Sequence, residues 1–130
     1  MLIFGHRFID SQNFYHIQSI EAIINTPPSS TILLEFNEEN LDVIKHISIN
    51  SIDLALEIKN IRELVYANSL GASFILVNKE LAKTAHDLAQ EYLFDAKVLV
   101  NINEESEIEE LALLGVDGVI FSNAIIKINS

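Results

Sequence analysis

The chain has no cysteine and no tryptophan, two prolines, four glycines, and eight basic residues against nineteen acidic ones. Each shortage excludes something. Without cysteine there is no disulfide, no thiolate metal site and no cysteine nucleophile; a reducing compartment fits that composition. With so few glycines there is no G-x-G-x-x-G and no Walker-type loop, so nucleotide binding by those cradles is not expected. A net charge of −11 opposes nucleic acid and anionic membrane surfaces, both of which are bound by clustered Lys and Arg. We read the acidic excess as a contribution to solubility, since net charge speaks to colloidal behaviour rather than to fold. No apolar run approaches the roughly 20 residues that span a bilayer. The apolar start of MLIFGHR is too short for a signal peptide, and its charge follows the apolar residues instead of preceding them. The expected location is the cytoplasm, with neither nucleic acid nor membrane as partner.

What is present is a repeated register. Apolar, β-rich segments run into polar residues and then into helix-patterned segments at IFGHR, LLEFN, LALEIK, FILVNKE and VLVNINEE, followed by VDGVIFSN. Strands are expected at Leu2–Phe4, Thr31–Phe36, Ile52–Lys59, Phe74–Val77, Lys97–Ile102 and Asp117–Phe121. Ile52–Lys59 also suits a helix, because Leu, Ala, Glu and Lys favour one. A strand there keeps strand starts about twenty residues apart, the size of a compact βα unit. Helices are expected at Tyr15–Asn25, ended by Pro27-Pro28, around Leu41, Ile44 and Ile47 or Ile49, from Ile61 to Leu70, from Lys79 to Leu93, and from Ile108 to Leu114. The apolar tail Ile125–Ile128 suits an edge of the sheet. One domain, residues 1–130, accounts for the whole chain, since 130 residues suffice for one core. The fold class is α/β, with a mainly parallel sheet of five to six strands in βα repeats, arranged as a partial TIM-barrel-like or a doubly wound sheet. The mean hydropathy of +0.28 agrees with strands buried on both faces.

Parallel sheets carry their chemistry at the strand C-terminal ends. The polar residues at the joints are therefore the candidates: His6, Arg7, Glu35, Asn37, Glu57, Lys59, Asn78, Asn101, Asn103 and Asn123. Asn37, Asn78 and Asn103 each precede a helical segment, where an Asn side chain caps orphan amides. Phe8, Phe14 and Tyr15 are expected to staple the first loop to the core, and His86 to face solvent from a helix.

Several of these joints resemble one family. LALLGVDGVIFSN is similar to the last βα unit of phosphate-handling TIM barrels, and especially to the GVDGIITD-like strand of glycerophosphodiester phosphodiesterases. GHR at residues 5 to 7 resembles that family's strand-one HRG, LLEFN its E-x-D strand, and LALEIK its EIK strand, in the family's order. The resemblance implies His6 and Arg7 as catalytic groups on a phosphodiester. It implies Glu35 and Glu57 as ligands of a divalent metal, the only cofactor suggested. The match is to a shortened relative with an incomplete site: Phe8 follows His-Arg where the family has glycine, and Asn37 stands where it has the second metal-binding acid. Lys59, Asn78 and Asn101 are candidate ligand-binding groups on the same face. We expect a non-catalytic, self-associating α/β protein, since a partial barrel leaves strand edges and apolar faces to cover. The alternatives are a metal-dependent phosphodiesterase-like hydrolase, or a module that binds a small anionic ligand at the strand C-terminal ends.

Overall fold

The computed structural model of the chain describes residues 1–128. It contains eight strands: β1 (Leu2–Phe4), β2 (Phe14–His16), β3 (Thr31–Glu35), β4 (Asp53–Glu57), β5 (Phe74–Val77), β6 (Lys97–Ile102), β7 (Gly118–Phe121) and β8 (Ile125–Lys127). All pair in parallel in one sheet of order β1-β7-β6-β5-β4-β3-β2-β8. Four α-helices follow β3 to β6: α1 (Leu41–Ile49), α2 (Ile61–Ser69), α3 (Ala82–Glu91) and α4 (Glu107–Leu114). The ambiguous segment after Ile52 is a strand, and the tail takes the far edge as expected. The strand count exceeds the expected five to six because Phe14–His16 and the tail both pair.

Phe14–His16 is also a correction. The Ile17, Ile20, Ile23 and Ile24 spacing suggests a helix from Tyr15, yet Tyr15 and His16 are strand and only Ile20–Asn25 coils, as a 3-10 turn. The local pattern loses to tertiary pairing: Phe14, Tyr15 and His16 bond to β3 on one side and β8 on the other.

The sheet is curled, and two observations require it. Neighbouring strands lie about 4.8 Å apart, so six steps separate β1 from β2 by roughly 29 Å if the sheet is flat. The rings of Phe4 on β1 and Phe14 on β2 are nevertheless 5.0 Å apart, edge to face. The chain also leaves β7 at Phe121 and begins β8 at Ile125, again six steps away in sheet order. Four residues of extended chain reach at most about 14 Å, so the two ends of the sheet must approach one another.

Strand alternation then divides the core in two. Ile32, Leu34, Leu54, Leu56, Ile75, Val77, Val98, Val100 and Val119 face outward, onto a layer that includes Val43, Ile44 and Ile47 of α1, Leu64 and Ala67 of α2, Ala82, Ala85 and Ala89 of α3, and Leu111 of α4. Leu33, Ala55, Leu76, Leu99 and Ile120 face inward, joined by Phe4, Phe14, Phe74 and Ala124, with no α-helix residue among them. Helices cover one face only. Of the two expected arrangements this is the partial barrel, since a doubly wound sheet carries helices on both faces.

Close packing inside the curl leaves no room at Gly118. A Cβ there would lie 2.6 Å from the Leu2 carbonyl oxygen and 2.8 Å from Leu99 Cδ2. Each α-helix ends on a left-handed residue, at Ser51, Gly71, Leu93 and Gly115. Leu93 has φ +52° and its side chain is 84% exposed, so neither packing nor backbone preference supports leucine there. Phe8 is likewise exposed, which removes it from the expected loop staple; Phe14 is fully buried and Tyr15 half-buried against the core. His86 is not solvent-facing: its Nε2 packs 3.3 Å from where a Gly115 Cβ would stand.

Two substitutions of opposite sign follow. Leu93→Gly should raise stability by up to about 1 kcal/mol, by removing left-handed strain from an L-residue. Gly118→Ala should lower it by about 1–3 kcal/mol through overpacking. Urea denaturation of both variants measures these changes.

Candidate functional site

The inward register continues past the ends of the strands. Glu35 follows Leu33, Glu57 follows Ala55, Asn78 follows Leu76, Asn101 follows Leu99 and Ser122 follows Ile120, each two residues on and hence on the inner side. The inner apolar layer is thus topped by a polar one. Glu57, Lys59, Asn78, Asn101, Asn103 and Ser122 line a cavity of about 430 Å³, together with Ile58 and Val77, whose side chains are buried in the outer core. Five of these residues are joint candidates, from the ends of β4, β5 and β6, and the topology brings them together. A second cavity, about 460 Å³, lies at the other end of β3 and β4, between Pro27-Pro28 and Ser51–Asp53. Asp53 is its single charged lining residue, so it offers less chemistry.

Glu35 stands beside Glu57 in the β3–β4 register. His6 and Arg7 lie elsewhere on the rim. The His6 ring packs on Phe121, with centroids 5.6 Å apart, and its Nε2 is 2.5 Å from Oε2 of Glu105, which follows β6. The Phe8 backbone N–H donates to His6 Nδ1 at 3.1 Å. An Nδ1 that accepts leaves the ring proton on Nε2, which donates to Glu105. Both ring nitrogens are therefore engaged within the protein. The Arg7 guanidinium sits 3.7 Å from the same carboxylate and 4.6 Å from the Phe8 ring centre. These contacts tie the first loop to the β6–α4 loop. The His6 bond and the Arg7 charge hold the Glu105 carboxyl below the ordinary glutamate range.

The asparagines divide. Asn37 Oδ1 accepts from Asn40 N at 2.9 Å, and Asn78 Oδ1 from Leu81 N at 3.0 Å, as caps. Asn60, which sequence reading passed over, caps α2 by accepting from Glu63 N at 2.9 Å. Asn103 is not a cap, contrary to expectation: its Oδ1 accepts from Ser122 Oγ at 3.2 Å, across the cavity wall. Glu107 does the capping there, its Oε2 accepting from the amides of Asn103 and Glu104. Those amides, with Lys79 nearby, push the Glu107 carboxyl below its ordinary range. Lys79 in turn lies 3.2 Å from Glu110 and 3.6 Å from Glu107, and its pKa is raised by them. Lys59 Nζ donates to the Phe36 carbonyl at 3.3 Å and lies 3.7 Å from Glu63.

Ser122 and Glu105 were missed as site residues. The period-two pattern of VIFS carries Ser122 inward after Ile120, so a signal for it existed. Glu105 lies 99 residues from His6, and nothing local announces their pairing. Among the described residues no group of three or more His, Asp or Glu side chains is placed to hold a metal ion. Glu35 and Glu57 are two adjacent carboxylates, fewer protein ligands than a dedicated divalent-cation cage supplies. No family model matches the chain, and no curated protein matches it either.

Asn78→Ala should cost about 1 kcal/mol as a lost cap, and Asn103→Ala well under that, as measured by chemical denaturation. The carboxyls of Glu105 and Glu107 have lowered folded-state pKa values, so the stability they contribute is present above the ordinary glutamate range. It is lost as pH falls through the lowered values. A Glu105→Gln/Glu107→Gln double variant should therefore show a shallower loss of stability on acidification than the parent chain.

Proposed function

We propose that the chain binds a small polar molecule at the mouth of its curled sheet and does not transform it. The observation that carries this is the convergence of Glu57, Lys59, Asn78, Asn101, Asn103 and Ser122 on one cavity above a closed apolar layer. A concave site with apolar walls and a few convergent polar groups is the usual form of a small-ligand site. Two features favour binding over phosphodiester hydrolysis. His6 spends both ring nitrogens on Phe8 and Glu105, and among the described residues Glu35 and Glu57 are without a third metal-ligating side chain beside them. A general acid–base needs a nitrogen within reach of substrate, and hydrolysis of this type needs a held cation.

Saturation-transfer NMR with a mixture of sugars, amino acids and phosphate esters tests the reading. At least one component should give a signal that disappears in Asn101→Leu, which keeps the branched side-chain shape and removes the amide. Equal signals from both proteins, or none from either, would refute it.

We also propose self-association, supported by apolar exposure on neighbouring helices. No helix among the described residues is long and apolar enough to cross a membrane, yet Val65, Tyr66, Tyr92 and Leu93 are all exposed. The edge strands β1 and β8 are three residues each, so open edges contribute less to this argument than the α2–α3 surface. Light scattering should give a mass above 14.6 kDa that falls toward it in a Tyr92→Lys/Leu93→Lys variant; a monomeric parent chain would refute the proposal.

A further inference from the structure

We infer that the ligand of the strand-end cavity is an uncharged, polyhydroxylated molecule of monosaccharide size, not a phosphate ester or other small anion. The inference rests on the binding reading above and names the ligand class for that site. Its basis is how this end of the molecule spends its positive groups. Lys59 is turned to Glu63 and the Phe36 carbonyl, Lys79 to Glu107 and Glu110, and Arg7 to Glu105. Helix-start amides, which elsewhere cradle phosphates, already carry acceptors of the chain itself. Asn37 Oδ1 takes Asn40 N, Asn78 Oδ1 takes Leu81 N, Glu63 Oε1 takes Lys59 N, and Glu107 Oε2 takes Asn103 N and Glu104 N.

What faces the cavity without a charged partner among the described residues is Glu57, with Glu35 beside it in register. An incoming phosphate would meet a carboxylate and would have to displace a carboxylate or an Asn carboxamide oxygen from each cation or amide it sought. A hydroxyl-rich molecule meets no such opposition. Its O–H groups can donate to Glu57, and its oxygens can accept from the Nδ2 groups of Asn78, Asn101 and Asn103. Asn78 and Asn103 turn their Oδ1 atoms to Leu81 N and Ser122 Oγ, which leaves the amide donors for a ligand.

The test is NMR titration of the isotopically labelled chain with D-ribose, D-glucose and myo-inositol, each beside its monophosphate ester. At least one neutral compound should produce saturable shifts at the side-chain amides of Asn78, Asn101 and Asn103, at a Kd at least tenfold below that of its ester. Glu57→Gln should narrow that ratio several-fold, because it removes the repelling charge and keeps the shape. An ester that binds as tightly as its neutral partner, or a ratio unmoved in Glu57→Gln, overturns the ligand class while the cavity remains a binding site. If none of the three sugars shifts those amides the inference also falls. The mixture experiment above then decides separately whether the site binds anything.

Discussion

Three phenylalanine rings inside the curled sheet hold the rest of the molecule in place. Phe4 comes from β1, Phe14 from β2 and Phe74 from β5, and their centroids lie 5.0 to 5.7 Å apart in edge-type contacts. Each such pair contributes about 0.5–1.5 kcal/mol beyond the area it buries. Their larger effect is geometric. These strands stand three to six places apart in the sheet order, and the rings meet only if the sheet bends around them. Small residues make the space: Ala55 and Ala124 lie in the same inner layer, and Gly118 lets β1 approach without a side chain between. Large and small side chains therefore share the interior of a short curl, as they do in tightly packed barrels.

The mouth is a consequence of that closure. Because the inner face is filled by apolar side chains up to the last strand residues, the next inward residues on each strand are the first that can meet water. On four of the six inner strands those residues are Glu35, Glu57, Asn78 and Asn101. A flat sheet would spread them over three strand spacings with no wall opposite. The curl gives Glu57, Asn78 and Asn101 a shared cavity, with Glu35 beside Glu57 in register, and sets His6 and Glu105 on the other part of the rim, where they bind the first loop to the β6–α4 loop. The acidic residues there serve as internal acceptors, for Lys79, Arg7 and two helix-start amides. An acidic chain can in this way satisfy its few cations and leave carboxylate and amide groups for a neutral ligand.

Much of this was legible in the residues. The alternation of ILLE, LALE, FILV and VLVN reads directly as strands with two different buried faces, and the polar residue at each joint falls on the inner side by counting in twos. Even the doubtful LALEIK segment yields to spacing. What was not legible depends on long-range contacts. Tyr15 and His16 carry a helical pattern in front of them, yet two neighbouring strands claim their backbone. Asn103 sits where a cap belongs, but Glu107 reaches the amides first and frees it for Ser122. The likeness of GHR to a catalytic His-Arg pair concerns three residues, and the bonds that occupy His6 come from Phe8 and from a glutamate on the far side of the chain.

The central claim is that the sheet closes on its own aromatic residues and so builds the mouth. Nuclear Overhauser contacts between the ring protons of Phe4 and Phe14 test it most directly. A centroid separation of 5.0 Å predicts strong cross-peaks between the two rings, and between each of them and Phe74. An open sheet would hold the Phe4 and Phe14 strands roughly 29 Å apart, and the absence of those cross-peaks would contradict the account.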